Sequence, residues 1–266
     1  MDFVSLADKG ALVAHKADIE QLFLECFGDR LSVALWDWAY LQNPHGEPLV
    51  SLCYDEGRLV GHYAMVPMPL AGPGRTLNSY LSMTTMVSAT HRQHGLFVKL
   101  ADATYQKGAA LGIDFVMGFP NAMSTPGFRR KLNWVLPEPD YVAAVSKAQI
   151  IDAAELLRVL AENTYALDLR DSKTREWRMS RPGSSYIWQD GLVYKRFADS
   201  IDLMYFDSID ALRNLPDEGT INLLVPHEFE AFRAYAAFDY QFGGFSIKSE
   251  FVPALINRQM CLSDVF

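Results

Sequence analysis

The chain has 266 residues, is half hydrophobic and carries a formal charge of −8. That length can bury one large core or two modest ones, and the negative balance argues against the broad basic face that nucleic-acid binding requires. Scattered Cys26, Cys53 and Cys261 support neither a disulfide framework nor a zinc site, and no run approaches the roughly 20 apolar residues of a membrane span.

Met1-Asp2-Phe3 lacks the basic start of a signal peptide, so a cytoplasmic protein with no membrane partner is expected. In chain order, the first informative block is Trp36-Asp37-Trp38-Ala39-Tyr40-Leu41-Gln42-Asn43-Pro44, a helix end closed by proline. Next comes a hairpin, Leu52-Cys53-Tyr54, a turn at Asp55-Glu56-Gly57, and Leu59 to Tyr63, with His62 on the second strand. Tyr80 to Val87 alternates apolar and small polar residues without a charge and reads as a strand. A turn containing Arg92-Gln93-His94-Gly95 follows. It leads into an amphipathic helix with Leu96, Phe97, Leu100, Ala101 and Thr104 on one face. A second strand runs into Gly118-Phe119-Pro120-Asn121, and Ser124 precedes Pro126-Gly127-Phe128 as a helix cap or a ligand contact.

The second half echoes the first. Trp177 to Pro182 repeats the Trp-led helix end, and Tyr186-Ile187-Trp188, a turn at Gln189-Asp190-Gly191, and Leu192 to Lys195 repeat the hairpin. Ile221 to Val225 reads as a strand, Glu228 to Gln241 as a helix with Phe229, Phe232, Tyr235 and Ala236 inward, and Phe245-Ser246-Ile247 as the following strand. Units of this size indicate a duplicated domain, with a boundary near Leu136 to Asp140 or at Ala144 to Lys147 and a first helix of the second unit at Leu156 to Glu162. The second strand-to-helix turn, Val225-Pro226-His227-Glu228, has no glycine, and Glu228 is expected to occupy the helix's positive pole.

The turn before Leu96 carries the chemistry. Gly95 lets backbone approach a ligand closely, the first helical N–H groups lack partners, and a diphosphate fits there with Arg92 adding charge. The segment Arg92-Gln93-His94-Gly95-Leu96-Phe97 resembles the pyrophosphate loop of the GNAT N-acyltransferase superfamily, R/Q-x-x-G-x-G/A, with Phe97 departing from the final small position. The downstream runs 118–121, 124–128 and Leu132-Asn133-Trp134 look like the next strand, helix and strand of that fold. The resemblance implies an α/β (α+β) chain of two tandem GNAT-like domains, each a mixed, mostly antiparallel sheet flanked by helices, the second degenerate. Residues 1–145 then form the catalytic domain and 146–266 the domain contributing to an acceptor cleft. It also implies acyl-CoA (acetyl-CoA or 3-hydroxyacyl-CoA) as co-substrate, with the pantetheine arm between two splayed central strands.

Residues 79–87 hold no Asp or Glu, so the superfamily's catalytic glutamate has no counterpart there. Backbone N–H groups at Met86 and Val87 are expected to hold the thioester carbonyl, Asn121 and Ser124 to meet the pantetheine arm or leaving sulfur, and His62 to be a candidate base. No third ligand accompanies the histidines at metal spacing, so no metal is expected. The whole chain is similar to tandem-domain N-acyltransferases acting on nucleotide-linked amino sugars of bacterial polysaccharide assembly, which implies a dTDP-linked amino-dideoxy sugar acceptor. Trp38, Tyr40, Arg178 and Tyr186 are the candidate acceptor contacts, and a homodimer is left open. A peptide or aminoacyl amine, or a non-catalytic acyl-CoA sensor, remain alternatives.

Overall fold

The computed structural model describes residues 1–217 and 219–263. The first half runs β1 (Asp2–Leu6), α1 (Lys9–Val13), α2 (Lys16–Phe27) and α3 (Val33–Trp36), whose last residues widen into a π-helical turn (Asp37–Leu41). β2 (Leu49–Asp55) and β3 (Arg58–Pro67) form the first hairpin, followed by the short pair β4 (Leu70–Ala71) and β5 (Thr76–Leu77). β6 (Ser79–Val87), a 3-10 turn (Ala89–His94), α4 (Leu96–Ala110), β7 (Phe115–Gly118) and α5 (Thr125–Lys131) complete it. The second half runs β8 (Asp140–Val145), α6 (Lys147–Asp152), α7 (Ala154–Ala161), α8 (Ser172–Met179), β9 (Tyr186–Gln189), β10 (Leu192–Phe197), β11 (Ser200–Phe206), β12 (Thr220–Val225), β13 (Ala236–Tyr240) and β14 (Gly243–Ser246).

Both hairpins turn as their sequences require. Glu56 and Gly57 have φ of 50° and 78°, and Asp190 and Gly191 have 46° and 82°, the paired positive values of a two-residue turn whose twist matches the strands. α4 buries Leu96, Leu100, Ala101, Thr104 and Tyr105 against the sheet. The helix comes so close that a Cβ on Gly61 of β3 would lie 2.7 Å from Leu100 Cδ1, which is why a glycine stands there.

The two six-stranded sheets have the orders β1-β2-β3-β6-β7-β14 and β13-β8-β12-β11-β10-β9. In each, an antiparallel hairpin leads to a third antiparallel strand, then a parallel neighbour, then an antiparallel strand. The fifth place is exchanged. β8 follows α5 in the chain but joins the second sheet, while β14, from the far end of the chain, pairs with β7 in the first. A cut at 145 therefore does not follow the sheets, and the strand expected at 245–247 belongs to the first unit. Only strand pairing between distant segments decides this, and periodicity carries no information about the partner.

Two further expectations fail locally. Residues 228–241 form a 3-10 turn (Glu230–Tyr235) followed by β13, which takes the free edge of β8. Buried Phe229 and Phe232 are three apart, a spacing that suits one tight turn as well as a helix. Glu228 therefore caps no helix; it pairs with Arg258 at 2.7 Å, and Arg258 also meets buried Asp140 at 3.0 Å. Residues 132–134 form no strand, and only a bridge at Val135 to Gly244 follows them.

One hydrophobic cluster fills the space between the sheets, including Trp36, Trp38, Leu81, Met117, Trp177, Met204 and Phe242. Within it Trp38 and Trp177 stack at 5.0 Å. Each indole N–H donates to the other's backbone carbonyl, at 2.7 and 3.0 Å. This reciprocal pair joins the two Trp-led helix ends recognised in sequence.

Candidate active site

β6 and β7 pair in parallel only over Ser79–Leu81 with Phe115–Met117. β6 continues to Val87, so its outer half faces a gap. A bulge sits where the gap opens, because two residues of β6, Thr84 and Thr85, oppose the single Tyr63 of β3. Thr84 has φ of 53°, which a β-branched residue adopts only under constraint from its surroundings. The constraint is His62, whose Nδ1 donates to Thr84 O at 2.7 Å.

His62 is 0% exposed, with a tyrosine edge, Tyr40, beside its ring. Burial holds its pKa down at about 4, and Nε2 has no hydrogen-bond partner among the described residues. The histidine expected as a base is placed as the pin of the bulge instead. Its folded pKa lies below the unfolded value, so the unfolded chain takes up the proton first and stability falls as pH drops from about 6.5 towards 4. Between pH 7 and 5 this group should cost about 2 kcal/mol. Urea titrations at both pH values should show that loss in the native chain and its disappearance in His62→Leu; an equal loss in both would remove His62 as the cause.

The β6 backbone offers one open donor rather than two. Ser88 N–H donates to Val60 O at 2.9 Å, so by strand alternation Met86 N–H also turns towards β3 and Val87 N–H turns to the gap. Under the gap lies a hydroxyl chain: Trp134 Nε1 donates to Tyr105 Oη at 2.8 Å, Tyr105 Oη lies 2.6 Å from Tyr63 Oη, and Ser82 Oγ lies 3.1 Å from Tyr63 Oη. Burial pushes the Tyr63 hydroxyl up to about 12 and Tyr105 upward too, so both stay protonated at neutral pH.

At the head of the gap, Gly95 (φ 67°) ends the 3-10 turn and starts α4, with no side chain capping the helix. A Cβ placed on Gly95 would meet nothing within 4 Å. Arg92, Gln93 and His94 are exposed around it, and Arg92 forms no ion pair among the described residues. The turn is held from behind. Ser88 Oγ donates to Glu25 Oε1 at 2.6 Å, a bond that lowers the Glu25 pKa, and His91 bridges Thr90 and Asp55. The arrangement leaves main-chain N–H groups, a positive helix pole and one free guanidinium facing outward, which suits a diphosphate. Leu96 is buried, whereas Phe97 packs edge-on against Phe128 at 5.4 Å and closely over Gly127, so it couples α4 to α5 where the resemblance has a small residue.

Across the gap, Asn121 rather than Ser124 does the capping of α5. Asn121 Oδ1 accepts from Ser124 N–H at 2.9 Å, and Ser124 Oγ donates back to Asn121 O at 3.2 Å. Asn121 is exposed and Ser124 half-buried, both just past the end of β7. The acceptor contacts expected from sequence are mostly spent internally. Trp38 and Tyr40 are each 2% exposed, and Arg178, equally buried, donates from Nε to Cys261 O and from Nη2 to Ser263 O. Tyr186 stays half-buried under the Arg178 guanidinium. Sequence reasoning missed the Tyr63–Tyr105–Trp134 chain, which joins β3, α4 and the segment after α5 and leaves no local pattern.

The histidines at the turn gather no metal-ligand set. The one grouping with that composition among the described residues is Asp140, His227 and Glu228, where Arg258 already supplies the positive charge. No described helix is long and apolar enough to cross a membrane.

Residues 14–136 match the family model for the acetyltransferase (GNAT) domain. The fold is similar to a GCN5-related N-acetyltransferase from Kribbella flavida, with TM-score 0.62 and 14% identity over 93% of this chain and 72% of that one. It is similar to Eis1 from Mycobacterium abscessus, with TM-score 0.60 and 14% identity over 93% and 74%. A GCN5-related N-acetyltransferase from Anabaena variabilis ATCC 29413 aligns with TM-score 0.55 and 11% identity over 92% and 73%. No curated protein matches the sequence. Two sheets flanked by helices in GNAT-like arrangement are thus the architecture of the chain.

Proposed function

We propose that a chain with a GNAT-type domain over residues 14–136 and an uncapped helix end at Gly95 is an acyl-CoA-dependent N-acyltransferase. The observation that carries this is the conjunction of that helix end with the gap beside β6. A diphosphate seated at Gly95 sends its pantetheine arm along an unpaired strand edge, which can bond the arm's amides as a further strand would. The thioester carbonyl then lies within reach of Val87 N–H, the donor turned into the gap.

The acceptor amine attacks that carbonyl carbon, the C–S bond breaks, and the thiolate leaves and takes its proton from water. Strand β6 carries no carboxylate, and Glu25, behind the turn, is engaged by Ser88. The amine therefore surrenders its proton to water, and positioning supplies much of the acceleration, for which about 7–11 kcal/mol is available. An amine of low basicity suits this scheme, and an amino-dideoxy sugar on a nucleotide is such an amine, since neighbouring ring oxygens withdraw electrons. With Trp38, Tyr40 and Arg178 buried, the half-buried aromatics that remain for such an acceptor are Tyr186, Trp188 with Arg175 over it at 4.7 Å, and the Phe119–Tyr240 stack.

Thiol release from acetyl-CoA should be measured against dTDP-amino sugars, peptide amines and no acceptor, with calorimetry alongside. Turnover with an amine and one coenzyme A per chain is the expected result. Tight binding without turnover on any amine would replace the enzyme by a sensor, and two coenzyme A per chain would mean that the second sheet keeps a working site.

A further inference from the structure

The second sheet repeats the gap of the first and fills it from within. β11 and β12 pair in parallel only over Ser200–Leu203 with Thr220–Leu223, although β11 runs on to Phe206. A bulge interrupts the β10–β11 ladder beside that point, as one interrupts β3–β6 beside the first gap. Into the second gap reaches Gln259. Its Oε1 accepts from Phe206 N–H at 2.8 Å and its Nε2 donates to Phe206 O at 3.1 Å. A side-chain amide thus satisfies the strand edge as a substrate amide does in the scheme proposed for β6. Around it remains a cavity of about 170 Å³, lined by Leu157, Phe206, Leu224, Pro226 and Ile256 with Arg258 and Glu228 at its side.

Gln259 belongs to a strap, residues 251–263, that leaves β14 in the first sheet and crosses to the second. Arg258 is tied to Asp140 and Glu228, and Cys261 O and Ser263 O accept from Arg178 at 2.6 and 2.5 Å. Ser263 Oγ then lies 2.7 Å from Tyr240 Oη, and the Tyr240 ring stacks on Phe119 at 5.0 Å. Phe119 is the residue after Gly118, where β7 ends beside the first gap. This approach is on the inter-sheet face, opposite α4 and its phosphate end.

We infer that the second sheet's gap is a socket for the chain's own strap, and that Gln259 is a positioning residue that fixes the acceptor-side wall of the first gap through Ser263, Tyr240 and Phe119. The inference rests on the transferase reading. It assigns a purpose to the degenerate unit, which binds a piece of the same chain where its counterpart binds a donor.

The test uses Gln259→Leu, which keeps the side chain's approximate volume and removes both bonds, and Gln259→Glu, which keeps only the acceptor. Three quantities are read: coenzyme A affinity by calorimetry, KM and kcat for the amine, and hydrogen exchange at the Phe206 amide. Gln259→Leu should speed exchange at Phe206 and raise the acceptor KM about five- to tenfold, with coenzyme A affinity unchanged within about twofold. Gln259→Glu should fall between the two, and it carries the comparison if the leucine variant does not fold. Faster exchange with an unchanged acceptor KM overturns the inference, as does a parallel loss of donor and acceptor affinity. A native chain that turns over no amine overturns the transferase reading itself, and the inference with it.

Discussion

Gly95→Trp should abolish coenzyme A binding, whereas Gly95→Ala should only weaken it. Both substitutions place a side chain on a backbone with φ of 67°, so both carry the same strain, about 1–2 kcal/mol. A Cβ at exposed Gly95 meets nothing within 4 Å, so the alanine methyl fits without touching the protein. They differ in what they leave for a ligand. An alanine methyl narrows the approach to the N–H groups of Leu96 and Phe97, while an indole covers it. Charge-assisted hydrogen bonds contribute about 1.5–3 kcal/mol each, so losing one lowers affinity about ten- to hundredfold and losing two about a hundredfold or more. Calorimetry with coenzyme A and thermal melting of both variants check this. Equal melting temperatures with a large affinity gap are expected, and equal affinities would place the diphosphate elsewhere.

Trp177→Ala should destabilise the whole chain by about 3–5 kcal/mol while unfolding remains one transition. The indole is 5% exposed, stacks on Trp38 and donates one of the two reciprocal bonds of the junction, to Trp38 O; the other is accepted by the Trp177 backbone carbonyl. Removing it leaves a cavity, and the Trp38 N–H loses none of its partner because that partner is a backbone carbonyl. A junction of rings alone would let the units melt separately. Here β8 and β14 are exchanged between the sheets, so neither sheet is complete when the other is lost. Denaturant titration followed by tryptophan fluorescence and by far-ultraviolet circular dichroism should give coincident midpoints in the native chain and the variant. Separate midpoints would refute the coupling through strand exchange.

Much of the first unit was legible because its signals are local. Turn residues at 55–57 and 189–191 dictated hairpins, the alternation in 80–87 dictated a strand, and Gly95 before an apolar stripe dictated a helix entry. Each depends on residues within one turn or one strand. Legibility ended where one pattern serves two conformations. Phe229 and Phe232 fit a helix face and a 3-10 turn equally, and the free edge of β8 chose the turn and strand. Trp38, Tyr40 and Arg178 show the same limit for function. Large aromatic and cationic residues suit a sugar platform and also suit an internal junction, and only packing distinguishes them.

The sequence by itself determined the hairpin at 52–63, the succession of strand, turn, helix and strand over 80–118 and the bare helix end at Gly95, since these follow from backbone preferences and side-chain periodicity over a few residues. Tertiary structure alone decided that β8 and β14 change places, that His62 is buried beneath Thr84, and that Gln259 occupies the second gap. Those outcomes depend on which distant segment satisfies a given strand edge or buried donor, and that competition is resolved only when the whole chain has collapsed.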